Sequence, residues 1–155
     1  MALIGEEGNG KSTLLKCIFD SRLIEDYVEI KGEINKSDEI IGYLPQRLSE
    51  KILDVTVSNF IFENILDVDY KYLYELIRDL SIEEELIYSD VSLGDLSGGE
   101  KIKIQLLKIM LDNPTLLLLD EPSNDLDMDS ILALEQFIIN SKLPIMFVSH
   151  DEVLL

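Results

Sequence analysis

The chain has 155 residues, enough for one domain with a substantial buried core, and 46% of them are apolar against 28% charged. Its 13 basic residues face 31 acidic ones, and the resulting net charge of -18 argues against a direct nucleic-acid grip by this segment. No apolar run approaches the length needed to cross a bilayer, and the first residues carry neither the basic flank nor the long apolar region of a secretory signal.

The chain opens on a short apolar strand, Ala2-Leu3-Ile4, which runs into a glycine-rich loop; a helix is expected from Lys11 to about Asp20. Cys17 lies among Leu14, Leu15 and Ile18 and reads as a small core residue. A single cysteine cannot form an internal disulfide, so a reducing cytoplasm is the expected compartment. Weak strands are expected around Val28 to Ile34 and Ile40 to Tyr43, with Gly32 marking a turn. From Thr56 to about Tyr88 the pattern turns helical, with Leu73, Leu76, Ile77 and Leu80 at three- and four-residue spacing.

Ser97-Gly98-Gly99-Glu100 begins another helix, and Ser97 and Glu100 have capping-box spacing. Along it Lys101, Gln105, Lys108 and Asp112 share a polar face, opposite Ile102, Leu106, Ile109 and Met110; Asn113-Pro114 ends it. Leu116 to Leu119 reads as a buried strand, Asp129 to Asn140 as a helix, and Ile145 to Val148 as a second buried strand. Apolar strands alternating with helices predict a single α/β domain over 1–155, built on a mostly parallel sheet. A helical subdomain is expected at about 49–112.

Gly5-Glu6-Glu7-Gly8-Asn9-Gly10-Lys11-Ser12 satisfies G-x-x-x-x-G-K-[ST], with a strand before it and a helix after it. Glycines allow backbone N–H groups to turn inward around an anion, and the helix N-terminus adds a favourable dipole. Lys11 is expected to reach the β- and γ-phosphates of a nucleotide, the Ser12 hydroxyl to ligate Mg²⁺, and Thr13 to hydrogen-bond a phosphate oxygen. Glu6 and Glu7 are unusual beside phosphates and are expected to point outward.

Leu116 to Leu119 leads into Asp120-Glu121. Ligands of parallel sheets bind at the carboxyl ends of strands, so both carboxylates are expected near the phosphates. Asp120 would hold Mg²⁺, usually through water, and Glu121 would orient or deprotonate the attacking water. His150 follows the last strand through Ser149, and Gln46 follows Tyr43-Leu44-Pro45. In isolation, either would be an ordinary polar residue at a strand end or turn.

Taken in order, the phosphate loop, Gln46, Leu96-Ser97-Gly98-Gly99-Glu100, Leu116 to Glu121, Asp127 and Ser149-His150 resemble the ATP-binding-cassette (ABC) ATPases. The resemblance covers nearly the whole chain and implies an ABC-type P-loop NTPase fold. It also implies ATP and Mg²⁺ as ligands, with hydrolysis in a head-to-tail pair of domains. There the signature, Ser97, Gly98, Gly99 and Glu100, would face the γ-phosphate bound by a second domain. By the same resemblance Gln46 senses Mg²⁺ and the attacking water, His150 contacts the γ-phosphate, and Asp127 lies in the loop that communicates across the dimer.

Ile41-Gly42-Tyr43-Leu44-Pro45-Gln46, Glu100 and Glu121-Pro122-Ser123-Asn124-Asp125-Leu126-Asp127 resemble the ABC-F branch, paired-domain proteins that act on ribosomes. The alternatives are the ATP-binding subunit of a membrane permease and an ATP-binding fragment without turnover. Against the family pattern, the strands before the phosphate loop, with the aromatic that stacks on adenine, and the sheet elements after His150 are expected to lie outside this sequence.

Overall fold

Apolar runs too short for helices pair here as strands. Ala2–Ile4 (β1), Ile41–Leu44 (β2), Leu116–Asp120 (β3) and Ile145–Ser149 (β4) form one sheet in the order β1-β4-β3-β2, every neighbouring pair parallel. The computed structural model describes residues 1–5, 8–36, 38–124 and 126–149. The helices are Lys11–Phe19 (α1), Val57–Phe62 (α2), Tyr70–Asp79 (α3), Glu84–Ile87 (α4), Gly98–Leu111 (α5) and Met128–Asn140 (α6). Among the described residues none is long and apolar enough to cross a membrane.

Side chains alternate across a strand, and the sheet accordingly has a core on each face. Leu118 and Val148 pack with Leu15 of α1 on one side; Leu117, Leu119 and Phe147 join the larger core on the other. Burial on both faces explains why β3 reads as an unbroken leucine run. Cys17 is buried on α1, as its neighbours suggested. The larger core continues away from the sheet through Ile104 and Leu107 of α5 to Val57, Ile61, Leu73 and Ile87 of the shorter helices.

The register aligns the strand ends. Asp120 pairs with Val148, Ile4 with Ser149, and Leu44 with Leu119. Gly5, Pro45-Gln46 and Glu121 therefore leave the sheet along one edge, its carboxyl edge, where β4 ends at Ser149.

Two features differ from the pattern in the sequence, and a third refines it. Residues 28–34 form no strand, and Ile30 and Ile34 are exposed. Alternating apolar residues make a strand only where a neighbour completes the ladder of backbone hydrogen bonds, and among the described residues this segment has none. The helical stretch from Thr56 to Tyr88 is divided into three short helices. Thr56 caps α2 and Asp69 caps α3, each side chain accepting a first-turn N–H, while Asn64 breaks the run at φ 62°. Finally, α5 is not amphipathic in the simple sense. Gln105 is 5% exposed and donates to the Lys101 carbonyl at 3.1 Å. Lys108 donates to the carbonyls of Ile61 and Glu63 at 3.2 and 2.7 Å, satisfying the end of α2. The expected polar face is thus partly used to join α5 to α2.

Candidate functional site

β1 delivers Gly5, and the chain then turns through Gly8 and Gly10 with φ of 85° and 74°. That region of backbone space is open to glycine and costly for side chains. α1 begins at Lys11 behind Gly10, with no side-chain cap; such a helix start attracts anions through its N–H groups and dipole. Lys11 folds back over the loop, its Nζ donating to the Gly5 carbonyl at 2.8 Å. Asn9 Nδ2 and Lys11 Nζ lie 3.7 and 3.8 Å from where a Cβ on Gly5 would stand, so both side chains converge above that glycine. Ser12 and Thr13 occupy the first turn of α1, half-buried.

Asp120 ends β3 and is 1% exposed. Its Oδ2 accepts a hydrogen bond from the Tyr43 hydroxyl at 2.9 Å. Its Oδ1 is buried and, among the described residues, has no hydrogen-bond partner. Burying a carboxylate oxygen without a partner is costly, so the site calls for a cation or an ordered water. Burial first, then the Asp120 charge and the hydrogen bond to it, push the Tyr43 phenol far above its ordinary range, so it stays a donor. A buried carboxylate oxygen of this kind is a donor suited to hydrated Mg²⁺.

Glu121 follows immediately and is 8% exposed, held at φ 50°, a conformation non-glycine residues rarely adopt. Its backbone N–H donates to the Val148 carbonyl at 3.0 Å. Two amides fix its carboxylate, Gln46 Nε2 at 2.9 Å and Asn124 Nδ2 at 2.6 Å, both donating to Oε2. Gln46 also lines an open groove of about 440 Å³ together with Lys16, Tyr43 and Asp120. The sequence expectation brought together Gln46, Asp120, Glu121 and the loop; Tyr43 and Asn124 were not given site roles. Tyr43 carries the signal of alternation, opposite in face to the buried Leu44, and Asn124 that of turn spacing after Glu121.

Ser97, Gly98, Gly99, Glu100 and Asp127 gather where α5 and α6 begin. Ser97 and Glu100 form the capping box: Ser97 Oγ accepts from the Glu100 N–H at 3.3 Å, and Glu100 Oε2 accepts from the Ser97 N–H at 2.8 Å. Those hydrogen bonds hold the Glu100 carboxyl below the usual range. Gly98 and Gly99 are the first two residues of α5. A Cβ on Gly99 would lie 2.0 Å from Ser130 Oγ and 2.9 Å from Ser130 Cβ. Ser130 in turn donates to Asp127 Oδ1 at 2.5 Å, and that bond is the main reason the Asp127 carboxyl is lowered. Ser97, Glu100, Asp127 and Ser130 line a second groove of about 470 Å³. His150, with Glu6, Glu7 and Asp125, lies outside the described residues.

Comparison with known proteins identifies the family. The family model described as ABC transporter matches residues 1–124. ABC transporter F family member 2 of Arabidopsis thaliana is 37% identical over 152 residues, covering 97% of this chain and 22% of that protein. The zinc import ATP-binding protein ZnuC of Magnetococcus marinus is 34% identical over 157 residues, covering 97% of this chain and 57% of its own length. The chain spans about a quarter or less of the length of several ABC-F relatives. A solved metal-chelate type ABC transporter in an inward-facing conformation superposes with a TM-score of 0.75 at 23% identity, over 99% of this chain and 63% of that one. That likeness is one of fold. The chain belongs to the ABC transporter family of ATP-binding domains, has its α/β P-loop fold, and is most like the ABC-F branch.

Proposed function

We propose that this chain binds Mg-ATP at the carboxyl edge of its sheet and hydrolyses it when a second ABC domain closes over the bound nucleotide. The observation that carries the reading is the convergence of Glu121, Gln46 and Asp120 on the edge where the Lys11 loop begins. Backbone groups of Gly5, Gly8, Asn9 and Gly10, with Lys11 and Thr13, hold the phosphates. Ser12, Asp120 and Gln46 are the residues that hold Mg²⁺, which when bound neutralises phosphate charge. Glu121 accepts a proton from the attacking water, its carboxylate kept in place by two amides. His150 takes the γ-phosphate role that the family pattern gives that position.

Ser97, Gly98, Gly99 and Glu100 present a capped helix start to the nucleotide of the partner domain, and Asp127 joins the two sites. Residues 49–112 act as a helical subdomain carrying that helix. The test is equilibrium binding of ATP with Mg²⁺, followed by phosphate release, for the wild type and Lys11→Ala. Binding by the wild type and its loss in Lys11→Ala, by about 100-fold or more, supports the reading; equal binding by both sinks it. The hundredfold figure corresponds to about 3 kcal/mol, the loss of a charge-assisted contact.

For the partner, we favour an ABC-F-like role on the ribosome, in the cytoplasm. The 37% identity to an ABC-F protein and the Glu121 to Asp127 sequence support it. The zinc-importer relative supports the second reading, an ATP-binding subunit seated on a membrane permease. Cosedimentation of the Glu121→Gln chain with ribosomes in Mg-ATP separates the two. ATP-dependent pelleting supports the first, and its absence alongside intact nucleotide binding favours the second.

A further inference from the structure

We propose that Tyr43 is a positioning residue for the divalent cation, holding Asp120 Oδ2 so that Oδ1 is the oxygen presented to the metal's water shell. This rests on the Mg-ATP reading above and deepens it. The carboxylate is asymmetric: Oδ2 is bonded to the Tyr43 hydroxyl at 2.9 Å, whereas Oδ1 is buried and has no partner among the described residues. A carboxylate that merely needed satisfaction at 1% exposure would leave neither oxygen in that condition.

Tyr43 is itself fixed from two sides. In the sheet it pairs with Leu118, two positions before Asp120 and therefore on the same face. Its ring stacks on Phe19 with centroids 5.0 Å apart and planes 23° from parallel. Phe19 is the last residue of α1, the helix whose first turn carries Lys11 and Ser12. One nine-residue helix thus touches the phosphate loop at its start and the tyrosine that orients the metal carboxylate at its end. Rigid support of a ligand by a neighbour that does not touch the metal is the usual way a cation site gains affinity.

The experiment measures ATP affinity in EDTA and across a Mg²⁺ titration for wild type, Tyr43→Phe, Asp120→Asn and the double variant. Tyr43→Phe should leave affinity in EDTA within about twofold of wild type and raise the Mg²⁺ midpoint about tenfold, the effect expected on losing such a support. Added to Asp120→Asn, it should move the midpoint no further. An unchanged midpoint in Tyr43→Phe overturns the inference, as does an equal loss of affinity with and without Mg²⁺.

Should Tyr43→Phe fail to fold, 3-fluorotyrosine at position 43 gives a second readout. Its ¹⁹F resonance should shift when Mg²⁺ joins bound ATP and stay still in Asp120→Asn; a resonance indifferent to Mg²⁺ overturns the inference. A wild type without Mg²⁺-dependent ATP binding overturns the functional reading and this inference with it. Mg²⁺-dependent binding that Tyr43→Phe fully reproduces overturns this inference alone.

Discussion

Gln46 and Glu121 are 75 positions apart in the chain and share a hydrogen bond of 2.9 Å, formed because β2 and β3 are parallel neighbours whose ends coincide. The same Glu121 oxygen accepts from Asn124 at 2.6 Å. If Glu121 is the general base of the proposed reaction, hydrolysis should depend more on its own carboxylate than on either amide. Glu121→Gln is expected to lower kcat for ATP by about 100-fold or more, the scale of a lost general base. Asn124→Ala should lower kcat about tenfold with KM within about threefold, because it loosens the base without touching the phosphates. Steady-state phosphate release checks both; a large KM change in Asn124→Ala would place that residue in nucleotide binding instead.

Gly99 is required by its neighbour. With a Cβ placed 2.0 Å from Ser130 Oγ, Gly99→Ala forces apart the starts of α5 and α6. The expected destabilisation is about 1–3 kcal/mol, typical of overpacking a tight site. Ser130→Gly removes the clashing atoms and should recover most of that loss in the double variant, seen as a coupling energy in urea unfolding. Additive losses would mean that Gly99 is needed for another reason.

The capping box on α5 predicts a pH dependence. Hydrogen bonds from Ser97 lower the Glu100 carboxyl in the folded state. Its stabilisation is therefore complete above the unfolded glutamate value of about 4.3 and is lost as pH falls through the lowered native value. Glu100→Gln keeps a hydrogen-bonding side chain without the charge. Melting temperatures should show the wild type ahead of Glu100→Gln at neutral pH, with the gap closing toward about pH 3. A gap that widens in acid would contradict the assignment.

Much of this is legible in the sequence. β3 and β4 announced themselves as short apolar runs because both faces of each are covered, and α5 by its capping pair. The Lys11 loop was legible because its chemistry demands fixed residues at fixed spacing. Residues 28–34 were misread because a strand is made by its neighbour, which the segment itself does not encode. Gln105 and Lys108 read as part of one polar face; only the position of α2 turns Lys108 into the cap of that helix. Tyr43 escaped as a site residue because its partner, Asp120, lies 77 positions away on the next strand. The contact of Gly99 with Ser130 likewise depends on how two helix starts meet.

The most direct test concerns the proposed division of one catalytic unit between two ABC domains, the Lys11 loop on one side and Ser97 to Glu100 on the other. Sedimentation velocity on Glu121→Gln, with and without saturating Mg-ATP, reads this directly. The shared-site arrangement predicts a monomer without nucleotide and a dimer with Mg-ATP, reversed when Lys11→Ala is added. A chain that binds Mg-ATP yet stays monomeric at saturation would contradict it.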